Sequence, residues 1–309
     1  MESKDFNTEP LHGHGLSEDL AAISDQQHRR RQTLAWLAKA AGTAMILPAA
    51  QAWAQPAGNR QQPGGTRGST SSGSTSTGST TGTTTTTTTS SACVADPAET
   101  AGPYPADGTN TSSGATSDIL TSSGIVRSDI RSSFVSTTTV APGVPLNLTL
   151  TLVNTNASCA VLSGYAIYLW HCDRAGLYSL YSAPTESYLR GVQVTNSLGQ
   201  VTFTTIFPGC YSGRYPHMHF EVFTSLATAT SGRNAVLTSQ LAMPSAACST
   251  VFSNASGYSA SVSNFAKVSV ASDGVFGDNT AAQIAAMTPT MSGSVANGYT
   301  GTATIGIAR

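Results

Sequence analysis

The chain has 309 residues, a formal net charge of −1 and only 10% charged residues. No Lys/Arg run follows residue 54, which argues against nucleic acid or an anionic membrane surface as partner. No apolar run reaches the length of a membrane span, so no stable membrane insertion is expected once the N-terminal segment is removed.

Residues 1–54 read as an N-terminal region with an export signal. Arg29, Arg30 and Arg31 precede a moderately apolar run from Leu34 to Leu47, which carries Lys39 and leads to the small-residue triplet Ala52-Trp53-Ala54. That order is the signature of a cleavable twin-arginine signal, predicting a periplasmic or secreted protein. Residues 55–91 are nearly all Gly, Ser, Thr, Pro and Gln. Such a composition cannot bury enough apolar surface to offset its ordering entropy, so a disordered linker is predicted. Its root-mean-square span as a flexible coil would be roughly 30–36 Å.

Residues 92–309 have the composition of a folded domain and hold all five cysteines: Cys93, Cys159, Cys172, Cys210 and Cys248. Export permits disulfides, the odd count leaves at least one thiol over, and Cys93–Cys159 is the pairing favoured. Strand signals recur at short spacing. "GVPLNLTLTLVN" puts Val144, Leu146, Leu148, Leu150 and Leu152 on one face; "GYAIYLWH" follows. "VQVTNSLGQVTFTTIF" reads as a hairpin turning at Ser197-Leu198-Gly199, and "PHMHFEVF" as a further strand. "NTAAQIAAM" is the only helix-like stretch of the domain, and "VSNFAKVSVAS" and "GYTGTATIGIA" are predicted as closing strands. The fold class predicted is all-β, a β-sandwich of mainly antiparallel strands.

The chemistry concentrates in four side chains. His217 and His219 are two apart on a predicted strand, so their imidazoles share a face. Tyr178 in "GLYS" and Tyr211 in "PGCYSGR" are the other candidates. A phenol with a reference pKa near 10 becomes a ligand only for a strongly Lewis-acidic ion, and Fe(III) meets that demand. Zinc more often recruits Cys, His or carboxylate. A ferrous facial triad of His217, His219 and Glu221 stays open, as does a copper or zinc site on the His pair alone.

"CVADPAETAGPYP", "VRSDIR", "LWHCDRAGLYS", "QVTFTTIFPGCYSGRYPHMHFEV" and "LTSQL", in this order from Cys93 to Leu241, resemble the intradiol ring-cleavage dioxygenases. Within them they are most similar to exported members lacking the N-terminal helical dimerisation region. The resemblance implies a sandwich enzyme using Fe(III) and O2 to open a small aromatic diol into a cis,cis-muconate-type diacid; a homo-oligomer is left open. It also implies Tyr178, Tyr211, His217 and His219 as metal ligands, with Tyr211, rather than the nearby Tyr215, the one that dissociates when the diol binds. Arg214 would stabilise negative charge, Gln240 would orient it, and Gly102, Pro103 and Tyr104 would line the substrate mouth. His171, Cys172 and Asp173 belong to the "WHCD" signature, with a packing or hydrogen-bonding role expected. Cys210 stands where these relatives often have tryptophan, and the segment after Leu241 lacks the acidic pair expected there. The alternative reading is a non-catalytic, transthyretin-like exported binding module.

Overall fold

The computed structural model describes residues 94–309. The expected signal, the expected linker and Cys93 lie outside them.

Strand β1 (Pro145–Asn154) sets the pattern: its leucines are buried while Asn147, Thr149 and Thr151 turn outward. Eight more strands follow among the described residues: β2 (Ala160–Val161), β3 (Ala166–Trp170), β4 (Arg190–Val194), β5 (Gln200–Ile206), β6 (His217–Phe223), β7 (Leu237–Ala242), β8 (Thr290–Ser294) and β9 (Gly298–Ile307). They form two sheets. One runs β2-β1-β9-β8 with β5 also on β1; the other runs β4-β3-β6-β7. Every strand pair is antiparallel except β1 with β9. This is the expected sandwich.

Between the sheets lies one apolar core. Leu146, Leu148, Leu150, Leu152 and Phe203 meet Ile167, Leu169, Met218, Phe220 and Val222 there. Because side chains alternate along a strand, Tyr168, Trp170, His217, His219 and Glu221 are forced to the opposite face of the four-stranded sheet. Both faces of β6 are nonetheless buried. The outer one is covered by Tyr104, Ile119, Leu120, Tyr178, Leu180 and neighbouring apolar groups. The two histidines thus sit on a rigid strand beneath a lid of loops.

Three expectations need correction. The segment around Ser197–Gly199 turns as expected, with Asn196 Oδ1 accepting from Leu198 N and Gln200 N, but it does not close a hairpin. β4 pairs with β3 and β5 pairs with β1, so this turn carries the chain from one sheet to the other. Turn chemistry specifies a reversal, not the partner of the strand that follows. The predicted strand "VSNFAKVSVAS" is instead helix and turn. Finally, "NTAAQIAAM" is not the only helix. α1 (Ser245–Asn254) and α2 (Ser259–Phe265) precede α3 (Ala281–Met287), which is capped by Thr280 and Gln283 as a helix start should be. Helix α1 is held by burying Ala247, Cys248, Val251 and Phe252 on one side, a tertiary contact that overrides its serine-rich composition. Cys159 is disulfide-bonded; its expected partner lies outside the described residues, while Cys172, Cys210 and Cys248 are free, buried thiols.

The start of the described chain is fastened to β9. Asp96 N donates to Gly306 O at 2.9 Å, and Gly306 N donates to Asp96 Oδ2 at 2.7 Å. A side chain at Gly306 would run into the Val94 carbonyl, so this approach needs glycine. Burial pushes the Asp96 carboxyl up to about 7. Through the window from about pH 4 to about pH 7 the native state therefore keeps a proton that the unfolded chain has released, and stability falls as pH rises. Asp96→Asn, which stays neutral and keeps an acceptor for Gly306, should flatten that fall. Denaturant midpoints of the two proteins at about pH 4.5 and about pH 7.5 check it. Parallel pH slopes would remove Asp96 as the cause.

Candidate metal centre

Four rings converge on the covered face of β6. Tyr178 Oη lies 3.4 Å from His217 Nε2 and 3.3 Å from His219 Nε2. Tyr211 Oη lies 3.3 Å from His217 Nε2, and the two Nε2 atoms are 3.0 Å apart. The four side chains singled out in the sequence are thus brought to one point.

The histidines are oriented differently. His217 Nδ1 is 2.6 Å from the Tyr215 carbonyl, which can only accept, so Nδ1 carries the proton and Nε2 presents its lone pair. His219 is held by stacking instead: Trp170 lies against it at 4.9 Å and 8°, and Tyr168 backs Trp170 at 4.8 Å and 20°. Its Nδ1 is buried and has no hydrogen-bond partner among the described residues. Burial first, and then neighbouring positive charge including Arg214, drives both imidazoles well below the ordinary histidine range. They are neutral donors at physiological pH.

The tyrosines come from two loops packed backbone to backbone. Asp173 shapes the first, its Oδ1 accepting from Ala175 N at 2.8 Å and Leu177 N at 3.0 Å, while Tyr188 Oη donates to its Oδ2. Gly209 N, in the second loop, donates to the Asp173 carbonyl at 3.0 Å. Gly176 has φ of +87°, and a side chain there would meet Tyr211 Cβ at 3.0 Å. Helix α2 holds the other side: Cys210 N donates to Ser261 Oγ at 2.9 Å, and Asn264 Nδ2 donates to Cys210 O at 2.9 Å. Cys210 itself packs in the core between the sheets, its thiol against the Arg214 carbonyl. Tyr178 is fully buried, whereas Tyr211 is partly exposed.

Tyr104, following Gly102 and Pro103, lies against Tyr178 at 4.8 Å and Tyr181 at 5.2 Å. Asn110 Nδ2 braces this segment by donating to the Pro103 carbonyl at 2.6 Å. Arg214 Nη2 donates to Gln240 Oε1 at 2.7 Å, and Gln240 Nε2 donates to the Thr100 carbonyl at 2.9 Å. Tyr215 turns away, its hydroxyl donating to the Met243 carbonyl at 3.0 Å. His171 spends both ring nitrogens on the Cys172 carbonyl and Thr205 Oγ1, each at 2.7 Å. Among the described residues no three His, Cys, Asp or Glu side chains gather as a metal site, so Glu221 does not complete a triad with the His pair. Its neighbours are Asp107 and Thr238, and burial beside Asp107 raises its carboxyl far above the usual range.

Two buried charges escaped the reading of the sequence. Arg190 sends its five N–H groups to Ser179 Oγ, the Pro105, Tyr104 and Ser179 carbonyls and Tyr168 Oη, all within 3.0 Å. Asp273 accepts from Arg214 Nε at 3.0 Å. No motif marks either, since a lone charge in a sequence looks the same whether it faces solvent or the interior.

Among solved structures, the intradiol ring-cleavage dioxygenase from Tetranychus urticae matches with a TM-score of 0.51 and 23% identity, over 70% of this chain and 95% of its own. The chain has the intradiol ring-cleavage dioxygenase fold. A second dioxygenase crystal structure matches at TM-score 0.51 and 24% identity over the same shares. The dioxygenase domain of a dioxygenase–carbohydrate-binding fusion from Streptomyces sp. SirexAA-E matches at TM-score 0.42 and 22% identity, over 70% of this chain and 99% of its own. No protein-family model and no curated relative matches the chain.

Gly176→Ala tests how the two tyrosine loops are coupled. It forces an L-residue into a positive φ and drives a methyl group against Tyr211, at a cost of about 1–2 kcal/mol. Denaturation should register that loss, and Tyr211 ring resonances should shift. Unchanged stability and spectra would mean the loops are not packed as described.

Proposed function

We propose that the protein is a ferric intradiol dioxygenase that converts a catechol-type diol and O2 into a cis,cis-muconate-type diacid. The observation that carries this reading is the convergence of two phenol oxygens and two imidazole Nε2 atoms at 3.0–3.4 Å. For bonds of about 2.1 Å, neighbouring ligand atoms stand about 3.0 Å apart in an octahedron and about 3.4 Å apart in a tetrahedron. The cluster therefore has the spacing of a ligand set. Its chemistry fits too: two phenols that ionise against a strong Lewis acid, and two imidazoles kept neutral by burial. Tyr178, Tyr211, His217 and His219 would hold the ion. When bound, ferric iron would act as Lewis acid and template, activating the chelated diol toward O2.

The chain's own residues would do the rest. Tyr211, the more exposed phenol, would take a diol proton at Oη, while buried Tyr178 would keep its position. Tyr104 offers an aromatic wall beside Tyr178 for the substrate ring. Arg214, buried close enough to depress both imidazoles, would stabilise negative charge as it develops on the ring during oxygen attack. Gln240 orients that guanidinium and ties it, through Thr100, to the segment carrying Gly102, Pro103 and Tyr104. We also propose export by the twin-arginine route, supported by the order of Arg29–Arg31, the apolar run and Ala52-Trp53-Ala54.

Purified protein should bind ferric iron and show a visible tyrosinate-to-iron band that shifts on adding catechol. Oxygen uptake against catechol, protocatechuate and hydroxyquinol would identify the diol. Tyr178→Phe should bleach or displace the band, and an unchanged spectrum would strike Tyr178 from the ligand set. A colourless, iron-free protein that stays inert after ferric reconstitution would instead support a non-catalytic binding module.

A further inference from the structure

The segment 242–258 carries no acidic residue, yet the structure brings a carboxylate to Arg214 from further along the chain. Asp273 Oδ2 accepts from Arg214 Nε at 3.0 Å and Oδ1 lies 3.4 Å from Nη2, with both side chains excluded from solvent. The guanidinium is gripped along its Nε/Nη2 edge, and Gln240 Oε1 takes a second contact from Nη2 at 2.7 Å. A planar fork held along one edge by two acceptors has no rotational freedom left.

Asp273 is itself immobile. Its Oδ2 also accepts from Tyr215 N at 2.7 Å, the residue between Arg214 and Pro216, while Oδ1 accepts from Val275 N at 2.8 Å and Phe276 N at 3.1 Å. The loop carrying it is anchored by Val275, Phe276 and Met287 packed on Tyr215. One carboxylate therefore sets both the side chain of Arg214 and the backbone that leads to His217.

We propose that Asp273 is a positioning residue that fixes the Arg214 guanidinium beside Gln240, the cross-strand partner of His219, making the loop around residues 270–279 part of the active site. This rests on the dioxygenase reading for its effect on turnover, but not for its geometry. A buried carboxylate holds a buried guanidinium in place and offsets its charge, and breaking such a pair leaves an uncompensated charge. Misplacing a charge-stabilising group by about 1 Å costs about a hundredfold in rate.

The test combines kinetics with a readout that needs no iron. In the wild-type protein, the Arg214 Nε–H resonance, assigned by its loss in Arg214→Lys, should be shifted downfield and protected from exchange. In Asp273→Asn, and in Asp273→Ser, which keeps an acceptor for the Val275 and Phe276 amides, that resonance should move upfield and exchange faster. In the ferric protein either substitution should lower kcat about a hundredfold with KM changed less than about threefold and the tyrosinate band kept. Placed in an Arg214→Ala background, the same substitution should cost less than about twofold, because Asp273 acts only through Arg214. Losses that simply multiply would overturn the proposal in favour of a merely structural role. A wild-type Nε–H that exchanges like a solvated arginine would also overturn it, including where both variants fail to fold. A wild-type protein inert toward every diol would refute the dioxygenase reading, leaving the resonance test to decide the positioning.

Discussion

A guanidinium buried among neutral oxygens holds this site together. Arg190 sits at the start of β4 with every N–H committed, and its acceptors belong to three separate parts of the chain. Two are the carbonyls of Tyr104 and Pro105, two belong to Ser179 beside Tyr178, and one is the hydroxyl of Tyr168. Tyr168 backs Trp170, which backs His219. A single side chain thus registers the segment carrying Tyr104 and Pro105, the first tyrosine loop and the stack behind one histidine. A buried charge demands complete hydrogen bonding, and meeting that demand brings the three elements together.

The second constraint is the pleat of β6. Alternation sends Met218, Phe220 and Val222 into the space between the sheets and leaves His217, His219 and Glu221 on the other side. The position of the histidines follows from the need to bury the three apolar residues that alternate with His217, His219 and Glu221. Apolar packing on one face sets the polar site on the other, and a register slip of one residue would exchange them.

This explains which parts were legible in advance. The leucines of β1 and the histidines of β6 show a period of two, and that is a property of neighbouring residues. The converging tyrosines were readable only through their motifs, since nothing local says that Tyr178 meets a residue forty positions on. Partner choice escaped as well, because the turn at Ser197–Gly199 looks the same whether the strands pair with each other or with different sheets. Helix α1 hid behind small and hydroxylated residues whose helicity comes from the wall they pack on. Arg190 and Asp273 were invisible for the same reason. Their importance is in burial, which a sequence does not print.

The parallel pairing of β1 with β9 has a consequence of its own. Leu146 lies beside Tyr299 and Asn154 beside Ile307, so β9 fills the space between β1 and β8. Contacts between segments about 150 residues apart make for a slow search. Until β9 docks, β1 exposes a full row of unpaired amides and carbonyls, the kind of edge that recruits other chains. For this protein the hazardous interval is the one before its sheet closes, and a chaperone that shielded the edge of β1 would guard the step on which yield depends.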